Sequence, residues 1–350
     1  MSLVNTLMQP LRAEYQGSLD KMESRPSFYG VYDFFVEDGG KAGSIFTTDV
    51  RQKIKRSFGN SVQVPVIDAH TITIGNVRSC TIADDENTSQ LITLTFVTYV
   101  FSFSMFPSQY MNNDIGYQED FTRKMKDRTI KLAKTIDAAA LAVLEAAKNQ
   151  FWTGTTGYYA NSGNALQVPD ASKDDFYNQV QSLLMTMDFT GAPNIITNPQ
   201  GMPLVRRNDN QGSNNGTNQS FQLSPYTWFQ SNNVTNNGGI RSTAYIIPDG
   251  TVAIETRLDP DSLMGSKVGD VISWEAISVP LPGSKNALQM GAYYRKDCAD
   301  ASGLQSGTTG LTATLRESFQ FSVDVCYATA YNSSISTRFN PIVKAELSAT

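Results

Sequence analysis

The stretch QEDFTRKMKDRTIKLAKTIDAAALAVLEAAKNQ, residues 118–150, decides the fold of this chain. Its apolar or small positions are Phe121, Met125, Thr129, Leu132, Ile136, Ala140, Val143, Ala147 and Phe151, a 4-4-3-4-4-3-4-4 spacing. The pattern repeats every eleven residues, a period near 3.67 that a nearly straight α-helix satisfies. Asn113 or Asp114 can cap the helix, Glu119 and Asp120 sit where its dipole favours acids, and Gly154 lies just past its end. At 1.5 Å per residue the helix is about 50 Å long, well above the usual mean of roughly a dozen residues. Its first half is basic: Arg123, Lys124, Lys126, Arg128, Lys131 and Lys134 stand against Asp127 alone. This localised face reads either as solvated surface or as a contact for phosphates or acidic loops. Its second half carries Ala138, Ala139, Ala140, Ala142, Ala146 and Ala147, expected to be buried against a sheet.

Upstream lies a long β ribbon. Residues 71–82 form its first strand, with Gly75 marking a bulge, and residues 83–90 its polar tip, with Asp84, Asp85 and Glu86. The strand returns over 91–106. Ile92, Leu94 and Phe96 share one face, and Tyr99, Phe101, Phe103 and Met105 share the other parity. A switch of parity near Val97 means a bulge or a strand passing from one environment to another. This strand spans roughly 50 Å, and a two-stranded ribbon of that length is marginal in water, so something must cover it.

Residues 1–25 carry a weak helical pattern (Leu3, Val4, Leu7, Leu11) interrupted by Pro10 and Gly17, and read as an arm that packs on something else. Residues 27–60 read as irregular, with Gly39-Gly40 as a turn and a short helix over 49–58. Residues 153–170 read as a loop, 174–186 as an amphipathic helix and 194–197 as a short buried strand. A helix follows Pro199, capped by Asn198, and 208–220 is a low-complexity loop. Pro248-Asp249-Gly250 between two apolar runs is a hairpin signal. Strands follow over 270–279 and 287–294. The run 315–328 alternates with Phe319, Phe321, Val323, Val325 and Tyr327 on one face, and Asn340-Pro341-Ile342-Val343 closes the chain.

Composition narrows the function. With 350 residues, 40% hydrophobic and 17% charged, the chain is globular, and a net charge of −5 argues against a surface that grips nucleic acid everywhere. Cys80, Cys298 and Cys326 are sparse and unpaired by spacing, which suggests a reducing compartment. No basic-then-apolar leader and no membrane span are expected. His70, the only histidine, sits beside Asp68 and reads as a structural, hydrogen-bonded group. None of the phosphate-cradling, zinc-protease or nucleophile-elbow motifs occurs, so no catalytic, cofactor-binding or metal residue is assigned.

In this order of arm, ribbon, long helix, mixed middle and closing strands, the chain resembles the major capsid protein of tailed bacteriophages, the fold named after phage Hong Kong ninety-seven and shared with encapsulins. The ending Arg338-Phe339-Asn340-Pro341-Ile342-Val343 is similar to the family's last strand. The resemblance implies an α+β fold. Its parts are an N-terminal arm (1–60), an extended hairpin loop (61–110), a peripheral domain with the spine helix (111–187 and 296–350) and an inserted axial domain (188–295). It also implies a non-enzymatic shell subunit of the virion, made in the host cytoplasm and assembling as pentamers and hexamers around double-stranded DNA. Portal, cement and any scaffold would be separate proteins. Asp84, Asp85 and Glu86 would meet a neighbouring subunit. The basic helix face (Arg123, Lys124, Lys126, Lys131, Lys134) would meet DNA or neighbours. Some family members cross-link a hairpin lysine to a neighbour's asparagine; residues 71–106 contain no lysine, so that chemistry is not expected. The alternatives are an encapsulin-like compartment around a protein cargo, and a secreted β-rich carbohydrate-binding or hydrolysing protein, suggested by the Asn/Gly/Ser/Thr loops.

Overall fold

A computed structural model describes residues 3–22, 29–41, 45–57, 59–67, 89–110, 114–148, 160–162, 165–185, 193–205, 226–259, 262, 265, 267–268, 271–299, 314–329 and 342–348. Among the described residues the main helices are α1 (Leu3–Met22), α2 (Gly30–Gly40), α3 (Thr48–Arg56), α4 (Asp114–Ala147) and α5 (Lys173–Met185). The strands are β1 (Ser61–Ile67), β2 (Ser89–Thr95), β3 (Val97–Met105), β4 (Ala160–Ser162), β5 (Ala165–Val168), β6 (Asn194–Thr197), β7 (Thr227–Gln230), β8 (Ile240–Ile247), β9 (Val252–Arg257), β10 (Lys267–Val268), β11 (Ile272–Val279), β12 (Leu288–Ala299), β13 (Thr314–Thr329) and β14 (Val343–Ser348).

These strands make three units. A two-stranded antiparallel ribbon pairs β1 with β2. A long sheet runs β10-β11-β12-β13-β3, with β9 also on β13. A second sheet runs β4-β5-β14-β8-β6-β7. The fold is thus mixed helix and sheet, as the sequence implied.

Helix α4 joins the two sheets. Phe121, Met125, Thr129, Leu132, Ile136, Ala140 and Ala147 are buried at the expected spacing, but Leu144 replaces Val143 in the stripe. The first half lies on the long sheet, where the Phe121 ring meets Phe103 at 5.4 Å and Phe319 at 5.2 Å. The second half lies on the second sheet, where Tyr245 Oη donates to Glu145 over 2.6 Å. The alanine-rich half is not buried all round: Ala138, Ala142 and Ala146 are exposed. Four-residue steps put them on the face opposite the stripe, and alanine is accepted there for its helix propensity alone.

The arm is helical through Pro10, and Val4, Leu7, Met8 and Leu11 are buried in the main core. Helix α2 occupies a stretch whose pattern reads as irregular. Its Val31, Tyr32, Phe34 and Phe35 are buried, so no amphipathic stripe marks it. Tyr29 gives it no side-chain cap. Instead the Asp137 carboxylate, from the middle of α4, accepts from Val31 N (2.9 Å) and Tyr32 N (3.1 Å). That satisfies donors every helix start leaves open. A Cβ on Gly30 would fall 2.7 Å from the Gln230 carbonyl oxygen, so only glycine lets α2 start against β7.

Two further expectations change. Residues 160–162 and 165–168, expected as loop, are strands β4 and β5 at the edge of the second sheet. Pro248-Asp249-Gly250 is a corner between sheets rather than a hairpin: β8 pairs with β14 and β6, and β9 pairs with β13. Asp38 of α2 holds that corner by accepting from Gly250 N (2.8 Å) and Val252 N (3.1 Å). The boundary between sheet units therefore runs through the 188–295 segment, with β6 to β8 on one side of it and β9 to β12 on the other. The second sheet has its own core with α5, built on Phe176, Tyr177, Val180, Leu184 and Ile246.

Candidate assembly surface

The chain passes from the ribbon to the long sheet at one residue, and the ribbon packs on that sheet through Ala253, Cys326 and Ala328. β2 ends at Thr95 and β3 begins at Val97. Between them Phe96 donates its N–H to the Asn60 carbonyl over 2.9 Å. Before this point Leu94 and Phe96 are buried in a small core with Val62, Val64, Ile54 and Phe46; after it Phe103 and Met105 are buried in the main core. The parity switch expected near Val97 is thus a strand passing from the α3 core to the α4 core. The partner strand differs from expectation: β2 pairs with 61–67, and the expected strand 71–82 lies outside the described residues.

Arg257 locks the junction. Its guanidinium sits 4.0 Å over the Phe96 ring and donates to Asp324 Oδ2 (2.6 and 3.1 Å), the Ser57 carbonyl (2.5 Å) and the Gly59 carbonyl (2.9 Å). Thr98 Oγ1 donates to the other Asp324 oxygen over 2.6 Å. One side chain therefore ties the entry to β1, the end of β9, the middle of β13 and the exit of β2.

Exposed apolar side chains lie on both strands at this junction, Leu91 on β2 and Val97 and Val100 on opposite faces of β3. Leu91, Val97 and Val100 are 63%, 45% and 57% exposed. Three of the eight exposed large hydrophobics among the described residues thus fall within ten residues of chain.

The edge of β3 is guarded. Lys124 Nζ donates to the Ser104 carbonyl (3.4 Å) and Arg128 Nε to the Ser102 carbonyl (3.2 Å), while the Arg128 guanidinium lies 4.9 Å over Phe103. Lys124 also pairs with Asp120 at 2.7 Å. Burial raises the Asp120 carboxyl, but hydrogen bonds from Lys124 and Tyr110 outweigh it and leave it below its ordinary value. Lys131 faces Asp127 at 3.8 Å with both exposed, a pair worth little in water. Arg123, Lys126 and Lys134 are exposed along the same helix. The structure brings all five expected basic residues onto α4 but commits Lys124 to its own sheet edge. Asp84, Asp85, Glu86, His70 and Cys80 lie outside the described residues. Among the described residues no group of three or more His, Cys, Asp or Glu could hold a metal ion, and no helix is long and apolar enough to cross a membrane.

No family model matches the sequence, and no curated protein matches it. The chain is similar to chains of solved phage capsids. The Cyanophage A-1(L) capsid asymmetric unit is 12% identical, with 91% of this chain and 92% of that one covered at a TM-score of 0.49. The capsid of Ralstonia phage GP4 is 10% identical, with coverages of 93% and 92% and a TM-score of 0.47. A chain of Mycobacterium phage Che8 is 9% identical, with coverages of 85% and 88% and a TM-score of 0.46.

Sequence reasoning places Phe96 on a ribbon face but passes over Arg257 and Asp38. Arg257 ends an ordinary strand and has no local signature. The basic run of α3, TDVRQKIKR, is legible as charge density, although its pattern alone points only to a short helix.

Proposed function

We propose that this chain is the major capsid protein of a tailed phage, a structural subunit that forms pentamers and hexamers and closes an icosahedral shell around double-stranded DNA. The observation that carries this reading is the ribbon. It leaves the body at a locked junction, its inner face completes a small core, and exposed apolar residues stand on its outer face (Leu91) and on the strand that continues it into the long sheet (Val97 and Val100). A neighbouring copy is the cover that serves every subunit of a closed shell at once. In this reading α4 with the long sheet forms the peripheral wall, and the second sheet with α5 forms the axial part of each capsomer. Arg123 and Lys134 offer a non-specific phosphate contact. Scaffold, portal and cement proteins would be separate chains, and assembly would take place in the host cytoplasm.

Negative-stain microscopy and sedimentation of the purified full chain test this. Wild type is expected to form particles, and Leu91→Glu with Val100→Glu to leave folded subunits that do not close. A chain that stays monomeric at every concentration and ionic strength overturns the reading.

A further inference from the structure

The long sheet has two faces, and α4 uses one of them. Residues opposed across an antiparallel pair point to the same side. Phe319 and Phe103 are opposed and meet α4. Gln320 is opposed to Ser102 on β3 and to Tyr293 on β12, and Tyr293 to Trp274 on β11, so these four share the reverse face. At one end of that face α3 and the ribbon pack through Cys326 and Ala328. Beside them opens a cleft of about 450 Å³, lined from the sheet by Val100, Gln320 and Ser322 and from its flanks by Asn60 and Asp259. Ser262 N donates to the Asp259 carbonyl over 3.1 Å, and this turn stands on the sheet: a Cβ on Gly291, opposite Ser322, would fall 2.3 Å from Ser262 Oγ.

The charges of the cleft are spent, because Arg257 holds Asp324 at 2.6 Å. The far end of the face is satisfied too, with the Ser104 and Ser318 hydroxyls 3.1 Å apart and Arg316 on Asp297 at 3.0 and 2.7 Å. The middle is not. Among the described residues the Gln320 and Ser322 side chains, the Tyr293 hydroxyl and the Trp274 N–H have no hydrogen-bond partner. Trp274 and Tyr293 are half-buried side by side, their rings 5.3 Å apart and inclined by 46°. From Ser102 to Trp274 the strip crosses four strands, about 14 Å.

We propose that this strip is a carbohydrate-binding site for a neutral oligosaccharide. Its chemistry selects the class. Asn60, Gln320 and Ser322 carry groups that donate and accept, as sugar hydroxyls do. The carbon-bound hydrogens of a sugar ring give it an apolar face, and Trp274 and Tyr293 offer a broad apolar surface with a polar tip to meet it. The one guanidinium of the cleft is already paired, so an acidic chain gains no free cation there. A protein partner calls for an apolar centre, and here Ser322 and Gln320 lie between Val100 and Tyr293. The shell reading enters only through direction. In that reading the cations of α4 meet DNA, so the reverse face points away from the genome and gives the particle a glycan-adhesive exterior.

Tryptophan fluorescence and isothermal titration test this on full-chain subunits and on particles, with maltotriose, cellotriose, mannotriose and chitotriose as probes. At least one probe is expected to bind both. Trp274→Ala and Gln320→Ala should each weaken that binding at least tenfold, with circular dichroism and particle yield unchanged. Trp274→Phe, which keeps a ring, should retain most of it. No binding of any probe by wild type overturns the proposal, as does equal binding by wild type and Trp274→Ala. Binding by subunits but not by particles overturns the exterior role, since the face is then buried or turned inward. Absence of particles from wild type overturns the shell reading, and the Trp274 and Gln320 variants then still decide the site on subunits.

Discussion

The guanidinium of Arg257 lies flat over the ring of Phe96, 4.0 Å from its centroid, at the residue where the chain leaves the ribbon for the long sheet. Arg257 is 8% exposed, and its partner Asp324 is part-buried. Removing the cation leaves Asp324 without its ion pair and two carbonyls without donors. Arg257→Ala should cost about 2 kcal/mol, below the full value for a buried pair because water reaches Asp324. Urea denaturation measures the loss. Hydrogen exchange should show it concentrated in 61–67 and 89–95, and uniform loss of protection would contradict the locking role. Arg257→Lys should recover less than half, since one ammonium cannot serve Asp324, Ser57 and Gly59 together.

Asp137 sets a pH dependence. Burial raises its carboxyl above the ordinary 3.8, against hydrogen bonds from Ser231, Asn233, Tyr32 and Val31 that lower it, and Tyr29 and Tyr327 also face it. With the folded value above the unfolded one, the folded chain holds the proton more tightly between the two. Stability therefore falls as pH rises from about 3.8 through the folded value, and the Asp137 contribution is constant above it. The Asp137→Asn amide cannot titrate. This substitution should cost about 1–3 kcal/mol through lost acceptor capacity, and its gap to wild type should be widest near pH 4 and narrow towards pH 7. A gap that does not change with pH would sink this assignment.

Lys124 and Arg128 protect the β3 edge. Strand edges that show open carbonyls invite pairing with other chains. Lys124→Ala with Arg128→Ala should lower stability by only about 1 kcal/mol but raise the light scattering of dilute subunits over hours. Unchanged scattering would mean that Lys124 and Arg128 do not block pairing.

Arg123 and Lys134 project from α4 into solvent, where phosphates can reach them. Arg123→Glu with Lys134→Glu should leave particle formation intact while lowering bound DNA and flattening its dependence on salt by about one unit of slope for each phosphate no longer neutralised. The ratio of absorbance at 260 and 280 nm in purified particles reads this directly, and full particles would assign both cations to solvation.

Much of this fold is legible from local pattern. The α4 stripe, the alternation of β13 and the parity switch at Phe96 each arise from burying one face of a regular element, and periodicity records that requirement along the chain. The helix expected over 174–186, which forms as Lys173–Met185, and the strand Asn194–Thr197 are readable for the same reason. Helix α2 is not. Its first N–H groups are capped by a carboxylate 106 residues away, and with core on most sides it has no polar face to set a period. The corner at Gly250 escapes local reading because Pro-Asp-Gly specifies a reversal of the chain and says nothing about which sheet accepts the next strand; Asp38, 212 residues away, decides that.

The sequence alone therefore determined the elements whose apolar faces repeat at short range: the long helix, the alternating strands, the returning strand of the ribbon with its change of parity, and the basic run of the helix. Tertiary structure alone decided where each charge is spent. Lys124 and Arg128 belong to one basic run by sequence, yet the carbonyls of Ser104 and Ser102 lie within their reach in the fold. Lys53 and Arg56 are an ordinary helix end by sequence, and become the wall of a groove only with β1 beside them. A charge is printed in the sequence, but its partner is set by distance in space, and that distance exists only once the chain has folded.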